Sequence, residues 1–262
     1  MKHVLRWSAL IYVAVVLLVP VGFIFYKTFA PGPAEVWRSI TTPAAIHAFW
    51  LTIGVAAIAV PLNAIFGVLI AVMLVRSRMP GKRFIEGILD LPFAVSPVVV
   101  GLALILVYGK DGWFGSVLAD LGIQVIFSVP GIVIATIFVC VPFVAREVIP
   151  VLREIGTDQE QAASTLGATR WQSFSRLTLP SIRWGLVYGI VLSTARAIGE
   201  FGAVSVVGGR SSGKTETLTL LVENRFTNFN IAGAYAASAL LAAIALFVLL
   251  VMTLLQRRRE PS

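Results

Sequence analysis

Long apolar stretches without charged residues alternate with short polar segments along the chain. Six of them are long enough to cross a hydrocarbon core of about 30 Å as helices, which takes roughly 20 residues. They span residues 8–25, 48–75, 91–108, 125–145, 184–207 and 231–255. A bilayer leaves unpaired backbone groups unsatisfied, and the alternating pattern of a β-barrel is missing from these stretches. The pattern therefore predicts an all-α polytopic membrane protein with six transmembrane helices in a single domain over residues 1–262.

Composition agrees with this prediction and excludes a soluble domain. Hydrophobic residues make up 58% of the chain and charged residues 13%, whereas soluble domains are about 25% charged. The net charge of +8 is scattered between the apolar stretches, so no basic face for nucleic acid is expected. The first stretch follows Lys2 and Arg6, but it is longer than a typical signal sequence and is interpreted as an uncleaved span.

The distribution of basic residues predicts the orientation, because short cytoplasmic loops hold the excess of Lys and Arg. With a cytoplasmic N-terminus, the inside segments contain fourteen basic residues and the outside loops six, while Arg196 lies within the fifth stretch. Both termini are therefore expected in the cytoplasm, with the long loop 146–183 on the same side.

Prolines interrupt the second, third and fourth stretches, and each removes a backbone donor and bends its helix. These prolines are Pro61, Pro92, Pro97, Pro130 and Pro142. Two interpretations remain open: ordinary tolerance of proline in membrane helices, or kinked helices that line a path which opens and closes.

The loop 146–183 is too long for a simple turn and carries two helix-start signals. Thr157 and Glu160 have the spacing of a capping box, which predicts a helix from Asp158 that ends at Gly167. Thr169 and Gln172 repeat the spacing and predict a second short helix that stops at Pro180. Its expected apolar face consists of Trp171, Phe174 and Leu177.

The first of these two helices has the composition of a docking surface. Ala162 and Ala163 allow another protein to approach closely, while Asp158, Glu160 and Gln161 offer polar contacts. The alternative is a solvated loop without a partner.

Arg196 and Glu200 lie four residues apart in an otherwise apolar stretch, so they can form an ion pair on one helix face. Charged residues at this depth usually face a bundle interior or a wet cavity. Either the pair fixes helix packing, or Arg196 provides positive potential along the route of an anion while Glu200 moderates it.

Residues 208–215 match the phosphate-loop pattern G-x-x-x-x-G-K-T, preceded by a strand-like Val204–Val207. A working nucleotide site also needs a parallel sheet and an acidic residue that holds magnesium. Neither is found in the sequence, and the charge count places the segment outside the cytoplasm. A glycine-rich external turn that contacts a substrate-delivery protein is the preferred interpretation.

Cofactor, metal and catalytic chemistry find no support in the remaining residues. Cys140 is the sole cysteine, and His3 and His47 lack the spacing of metal ligands. We therefore expect no disulfide, metal site, cofactor or catalytic residue.

The loop also resembles a known signature. Residues 160–180 read EQAASTLGATRWQSFSRLTLP, which is similar to the signature of bacterial ATP-binding-cassette importer permeases. The matching residues are Ala162, Ala163, Gly167, Leu177, Leu179 and Pro180, whereas Gln161 stands where that family usually has Glu. The resemblance implies that this helix, with Leu166 and Gly167 at its end, seats in a groove of a cytoplasmic ATPase dimer.

Three further stretches resemble the sulfate/thiosulfate importer permeases, and in particular their W-type subunit. They are DLPFAVSPVVVGLALILVYG (90–109), VPFVAREVIPVL (141–152) and ARAIGEFGAVSVVGG (195–209). The resemblance implies a multi-pass subunit of the bacterial inner membrane that transports sulfate or thiosulfate and is not itself an enzyme. The partners it implies are a second homologous permease, the ATPase dimer and an external sulfate-binding protein.

Three alternatives stay open at this point. A molybdate or tungstate permease would transport an oxyanion of similar charge and shape. A membrane ATPase would hydrolyse ATP by itself through Lys214. A membrane scaffold would have no transport role, and loss of ATPase binding after disruption of Gly167 would argue against it.

Overall fold

The computed structural model describes the backbone of residues 2–257 and the side chains of 6–251, 253 and 254. Within this part all regular structure is helical. The first seven helices are α1 (Lys2–Val13), α2 (Val19–Phe29), α3 (Pro33–Ile40), α4 (Pro43–Arg76), α5 (Lys82–Ala94), α6 (Pro97–Tyr108) and α7 (Gly115–Asp120). The others are α8 (Val129–Ile155), α9 (Asp158–Thr165), α10 (Arg170–Ser173), α11 (Leu179–Ile198), α12 (Gly202–Val207), α13 (Leu218–Thr227) and α14 (Ile231–Arg257). Arg258 and Arg259, which contribute to the predicted inside charge, lie outside the described residues.

The prediction of an all-helical membrane protein is confirmed, but the described residues contain fewer uninterrupted spans than predicted. Four helices are long and apolar enough to cross a membrane, and five if one bent pair counts as a span. The four are Arg6–Phe29, Pro43–Arg76, Val129–Ile155 and Ile231–Val251. In the first of them, a π turn over Ala14–Leu18 joins α1 to α2 without a break. Helix α11, which contains Arg183 and Arg196, is not among them.

The third predicted span, 91–108, is not one helix. Helix α5 begins earlier, at Lys82, and α6 leaves it at an angle of 112° after a break at Val95 and Ser96. Both break residues are extended, with ψ of 135° and 134°. Pro97 explains the conformation of Ser96, because the residue before a proline is disfavoured in the helical region.

The fifth predicted span, 184–207, is also interrupted. Helix α11 ends at Ile198, and α12 begins only at Gly202. Glu200 lies in the gap, where its Oε1 accepts a hydrogen bond from the Ala203 N–H at 2.9 Å. A side-chain oxygen that accepts a hydrogen bond from an N–H group in the first turn of a helix stabilises the start of that helix, and it favours this break over a continuous helix.

The helices form two compact units, one of residues 2–52 with 211–247 and the other of 53–210 with 248–257. In the second unit, α8 lies at the centre of a core shared with α4, α5 and α11. Its buried members are Val68, Ala71, Leu74, Leu89, Val144, Ala145, Val148, Ile149, Leu152 and Ile182. A neighbouring core joins α6, α8 and α12, with Val100, Ala135 and Ala203 among its buried residues.

The first unit packs α13 against the beginning of α4 and the first half of α14, through Ala45, Ala48, Leu218, Leu221 and Ala237.

Arg225 on α13 anchors this unit further. Its guanidinium donates to the Gly233 carbonyl at 3.1 Å, and to the Ser39 carbonyl and the Thr42 hydroxyl at 2.9 Å each. Burial lowers the pKa of Arg225, and the Glu216 carboxylate opposes this shift.

Candidate functional site

The connection between α8 and α11 is an elbow whose helical parts extend further than predicted. Helix α8 continues to Ile155, so the first part of the predicted loop 146–183 is helix. Gly156, with φ of 69°, then turns the chain into α9. Positive φ values are readily adopted only by glycine, so this residue allows the sharp exit from α8.

Helix α9 begins at Asp158, as predicted, but the predicted capping box is wrong. The Thr157 side chain caps no backbone N–H and instead accepts a hydrogen bond from Gln161 Nε2 at 2.8 Å. Glu160 does not reach back to Thr157. Gly167 ends the turn with φ of 82°, and the Ala168 N–H donates to the Ala163 carbonyl at 3.0 Å.

The second capping box is confirmed. Thr169 Oγ1 accepts from the Gln172 N–H at 3.3 Å, and Gln172 Oε1 accepts from the Thr169 N–H at 2.8 Å. The helix does not stop at Pro180, however. A π turn over Phe174–Thr178 carries it directly into α11, and Pro180 lies in the first turn of that helix. Proline is tolerated there because the first turn has free N–H groups in any case.

The residues predicted to dock a partner lie at the elbow, and most of them face outward. Asp158, Gln161, Ala162, Leu166 and Gly167 are exposed, whereas Ala163 and Glu160 are partly buried. Leu166 has 89% of its surface exposed, and Trp171 on α10 has 71%. Apolar side chains with this exposure at the elbow are available for contact with another protein.

Glu160 points to the opposite side of α9. Its carboxylate lies 3.0 and 3.2 Å from Arg76 Nε, measured to its two oxygens, and accepts a hydrogen bond from Thr178 Oγ1 at 2.8 Å. Arg76 Nη1 also donates to the Leu152 carbonyl at 3.1 Å. Sequence reasoning missed Arg76, because a basic residue at the end of an apolar stretch was interpreted only as an orientation signal.

Arg196 and Glu200 form an ion pair with 2.5 Å between Nη1 and Oε2. They do not share one helix, because α11 ends between them. The Glu200 side chain is 1% exposed and the Arg196 side chain 30%. The carboxylate is therefore enclosed between a cation and the start of α12, while the guanidinium stays partly accessible.

The glycine-rich segment 208–215 lacks the setting of a nucleotide site. Val204–Val207, interpreted as strand-like, belong to helix α12, and residues 2–257 contain no strand that could form the required sheet. Lys214 is exposed, and Arg210 and Gly213 adopt positive φ. A turn is consistent with this geometry.

Residues 63–261 match the model of the family described as binding-protein-dependent transport system inner membrane component. The chain belongs to this family. Two relatives named sulfate transport system permease protein CysW are similar to the chain over nearly its whole length. The Synechocystis protein is 49% identical over 98% of this chain and 93% of its own length. The Escherichia coli K12 protein is 47% identical over 94% of this chain and 85% of its own length.

The chain also resembles a second type of sulfate permease and several solved transporters. The Escherichia coli K12 sulfate transport system permease protein CysT is 38% identical over 96% of this chain and 91% of its own length. A bacterial alginate ABC transporter, solved with an alginate-bound periplasmic protein, superposes with a TM-score of 0.80 at 18% identity, over 98% of this chain and 94% of that chain. At this identity the similarity shows the fold alone. The fold is thus that of an inner membrane transport component with several membrane passes.

Proposed function

We propose that this protein is the permease subunit of an ATP-binding-cassette importer that moves sulfate, or thiosulfate, into the cytoplasm. The observation that carries the proposal is the 49% identity over 98% of the chain to a protein named as a sulfate permease. The subunit provides part of the membrane path, and ATP hydrolysis belongs to a separate subunit. The segment 208–215 is assigned no nucleotide.

In this proposal the chain crosses the inner membrane six times with both termini in the cytoplasm. Five crossings use the four long spans and the bent pair α5–α6. The sixth uses α11, which is 20 residues long and therefore about 30 Å in length, enough for one crossing. Its charged residues are acceptable inside a bundle when they are paired, as Arg196 is with Glu200.

The elbow is the proposed contact with the ATPase dimer. The exposed residues Asp158, Gln161, Ala162, Leu166 and Gly167 form its docking surface, and Ala163 allows close approach. The small and apolar side chains of the elbow suit a preformed groove on the ATPase, and the polar side chains fix the position of α9 in that groove. Closure of the two ATPase subunits on ATP then pulls the elbows of the two permeases, which opens and closes the membrane path.

Arg196 and Glu200 are proposed to lie on this path. A divalent anion crossing an apolar bundle needs positive potential, and the partly accessible Arg196 guanidinium provides it. Glu200 neutralises part of this charge, so the anion is attracted without being trapped.

The remaining proposed partners are a second, homologous permease and an external sulfate-binding protein. The CysT relative supports the first, because two types of sulfate permease are similar to this chain. The alginate transporter supports the second, since it was solved with its periplasmic protein.

Uptake of radiolabelled sulfate by cells that lack their own sulfate permeases tests the substrate. Cells expressing this subunit with its ATPase, second permease and binding protein are expected to accumulate sulfate, and unlabelled thiosulfate should compete. Molybdate is the decisive competitor. If molybdate blocks uptake at equal concentration, or is itself accumulated in preference to sulfate, the chain is a molybdate permease and the proposed substrate is wrong.

A further inference from the structure

The carboxylate of Glu160 lies on the docking helix but faces the membrane bundle. We propose that Glu160, Arg76 and Thr178 form a strut that ties α9 to the cytoplasmic ends of α4 and α11, so that movement of the docked helix reaches both spans. These three residues are called the elbow strut. The inference rests on the proposed function, and it assigns Glu160 a positioning role instead of an ATPase contact.

The elbow strut connects several segments of the bundle. Arg76 is the last residue of α4, and Thr178 is the last residue of the π turn before α11. Glu160 contacts both, and Arg76 also binds the Leu152 carbonyl near the end of α8. One carboxylate and one guanidinium therefore join the end of α4 to three segments of the elbow region: the end of α8, α9 and the turn before α11.

Helix α9 is short and is joined to its neighbours through glycine turns. This helix has eight residues, and the glycines that flank it, Gly156 and Gly167, both have positive φ. A short helix between two glycine turns has little to fix its tilt. The strut contacts α9 near its middle and fixes it against the bundle.

The ion pair of the elbow strut is shielded from solvent. The Arg76 and Glu160 side chains are 15% and 26% exposed, whereas those of Arg153 and Glu86, which pair between α8 and α5, are 60% and 38% exposed. Exposed ion pairs contribute little to stability, because water and salt screen the attraction between the charges. The strut is the better protected pair, and two further hydrogen bonds fix its geometry.

The exposed residues of α9 and the strut carboxylate lie on different faces of the helix. Asp158, Gln161 and Ala162 are exposed on one side of the helix, while Glu160 projects from the other. Residues four apart share a helix face and residues two apart do not. A partner on the exposed side can therefore pull α9 without competing for the strut.

The test uses the complete complex in proteoliposomes and measures two quantities: the amount of ATPase that co-purifies, and the oxyanion transported per ATP hydrolysed. For Glu160→Gln and Arg76→Gln, we expect unchanged co-purification and about a tenfold fall in transport per ATP, the size of a typical coupling free energy. The matched control is Glu154→Gln, an exposed carboxylate in the last turn of α8, which should change neither quantity.

Charge reversal separates a specific pair from a general loss of structure. Arg76→Glu and Glu160→Arg should each uncouple the complex, and the two together should recover several-fold more transport per ATP than either alone. If the ion-pair variants fail to assemble, Thr178→Val removes a single hydroxyl while keeping the shape. It should lower transport per ATP roughly threefold, as expected for one hydrogen bond.

Two results would overturn the inference. Loss of ATPase from the Glu160→Gln complex, with normal transport per ATP in what remains, would make Glu160 a docking contact. Unchanged transport per ATP in Glu160→Gln and Thr178→Val would mean that the strut carries no movement. The ratio is measured with whichever oxyanion the wild-type complex transports, so an error in the proposed substrate cannot be mistaken for a failed strut.

Discussion

At the scale of single residues, two carboxylates shielded from solvent, Glu200 and Glu160, each bind an arginine and a neutral donor. Glu200 fills the gap between α11 and α12 and binds both Arg196 and the Ala203 N–H. Glu160 performs a similar task at the elbow with Arg76 and Thr178. In both places one carboxylate satisfies a cation and a neutral donor, which is how a charge in an apolar protein becomes tolerable.

Replacing Arg196 separates the structural interpretation of its ion pair from the functional one. Arg196→Gln leaves the buried Glu200 carboxylate without its cation and should destabilise the subunit by about 2 kcal/mol. Adding Glu200→Gln removes the unpaired charge, and the new amide oxygen can still accept from Ala203, so most stability should return. Thermal unfolding of the purified complex measures this.

Sulfate uptake by the same double variant then decides the role of Arg196. If the arginine serves the anion, uptake stays low although the complex is stable again. Normal uptake would mean that the ion pair serves only helix packing. Uptake by Arg196→Lys, which keeps the positive charge, provides the comparison.

At the scale of elements, the sequence predicted helix positions better than helix continuity. Apolar stretches located every long span, and the Thr169–Gln172 box was read correctly. Pro97 was predicted to bend the third stretch but not to break it at Val95–Ser96, and the break at Gly199–Phe201 was missed, since hydropathy averages over a window and does not register one extended residue. Pro97 gave a signal for the first break. For the second, the signal was Glu200 itself, which was interpreted only as an ion-pair partner.

Long-range contacts of the elbow could not be predicted in the same way. The Thr157–Glu160 spacing predicted a local cap, but Glu160 binds Arg76 and Thr178 instead. The Glu160 carboxylate can form either a local capping hydrogen bond or an ion pair with a residue distant in sequence. Sequence spacing predicts only the local bond. The fold class, the elbow and its exposed residues therefore follow from the sequence, whereas the strut needs the structure.

Close helix packing around α8 gives a prediction at this scale. A Cβ added at Gly189 on α11 would lie 2.8 Å from the Val144 backbone, and one at Gly67 on α4 would lie 2.8 Å from the Val144 side chain. Gly189→Ala should therefore force α11 from α8 and destabilise the protein by about 1–3 kcal/mol. Gly87→Ala on α5 is the matched control, because nothing lies within 4 Å of its Cβ position.

Thermal unfolding in detergent measures both variants. Gly87→Ala should leave the midpoint unchanged or raise it, since alanine favours a helix by up to about 1 kcal/mol over glycine. Equal midpoints for the two variants would show that α8 and α11 have room to adjust, contrary to the contact distances.

At the scale of the whole molecule, the proposed transport mechanism depends on which side of the membrane two polar segments face. Fourteen basic residues fall on the predicted inside and six on the outside, a distribution that predicts the elbow in the cytoplasm and the segment 208–215 outside. An elbow that meets an ATPase and a turn that meets a binding protein require this arrangement. The four long spans and the bent pair α5–α6 account for five crossings. The side of the membrane on which the segments after α11 lie therefore depends on whether α11 also crosses.

Cysteine labelling in intact cells tests this arrangement directly. Cys140 is the sole cysteine and is buried, so Cys140→Ala gives an unreactive background for single cysteines at Ser164 on α9 and Ser212 in the turn predicted to be external. Both serines are exposed. A membrane-impermeant thiol reagent should label Ser212→Cys in intact cells. It should label Ser164→Cys, expressed without the ATPase, only after the cells are permeabilised. Labelling of Ser164→Cys in intact cells would show that the predicted orientation is wrong. Helix α9 could then not reach a cytoplasmic ATPase, and the proposed docking role of the elbow would fail.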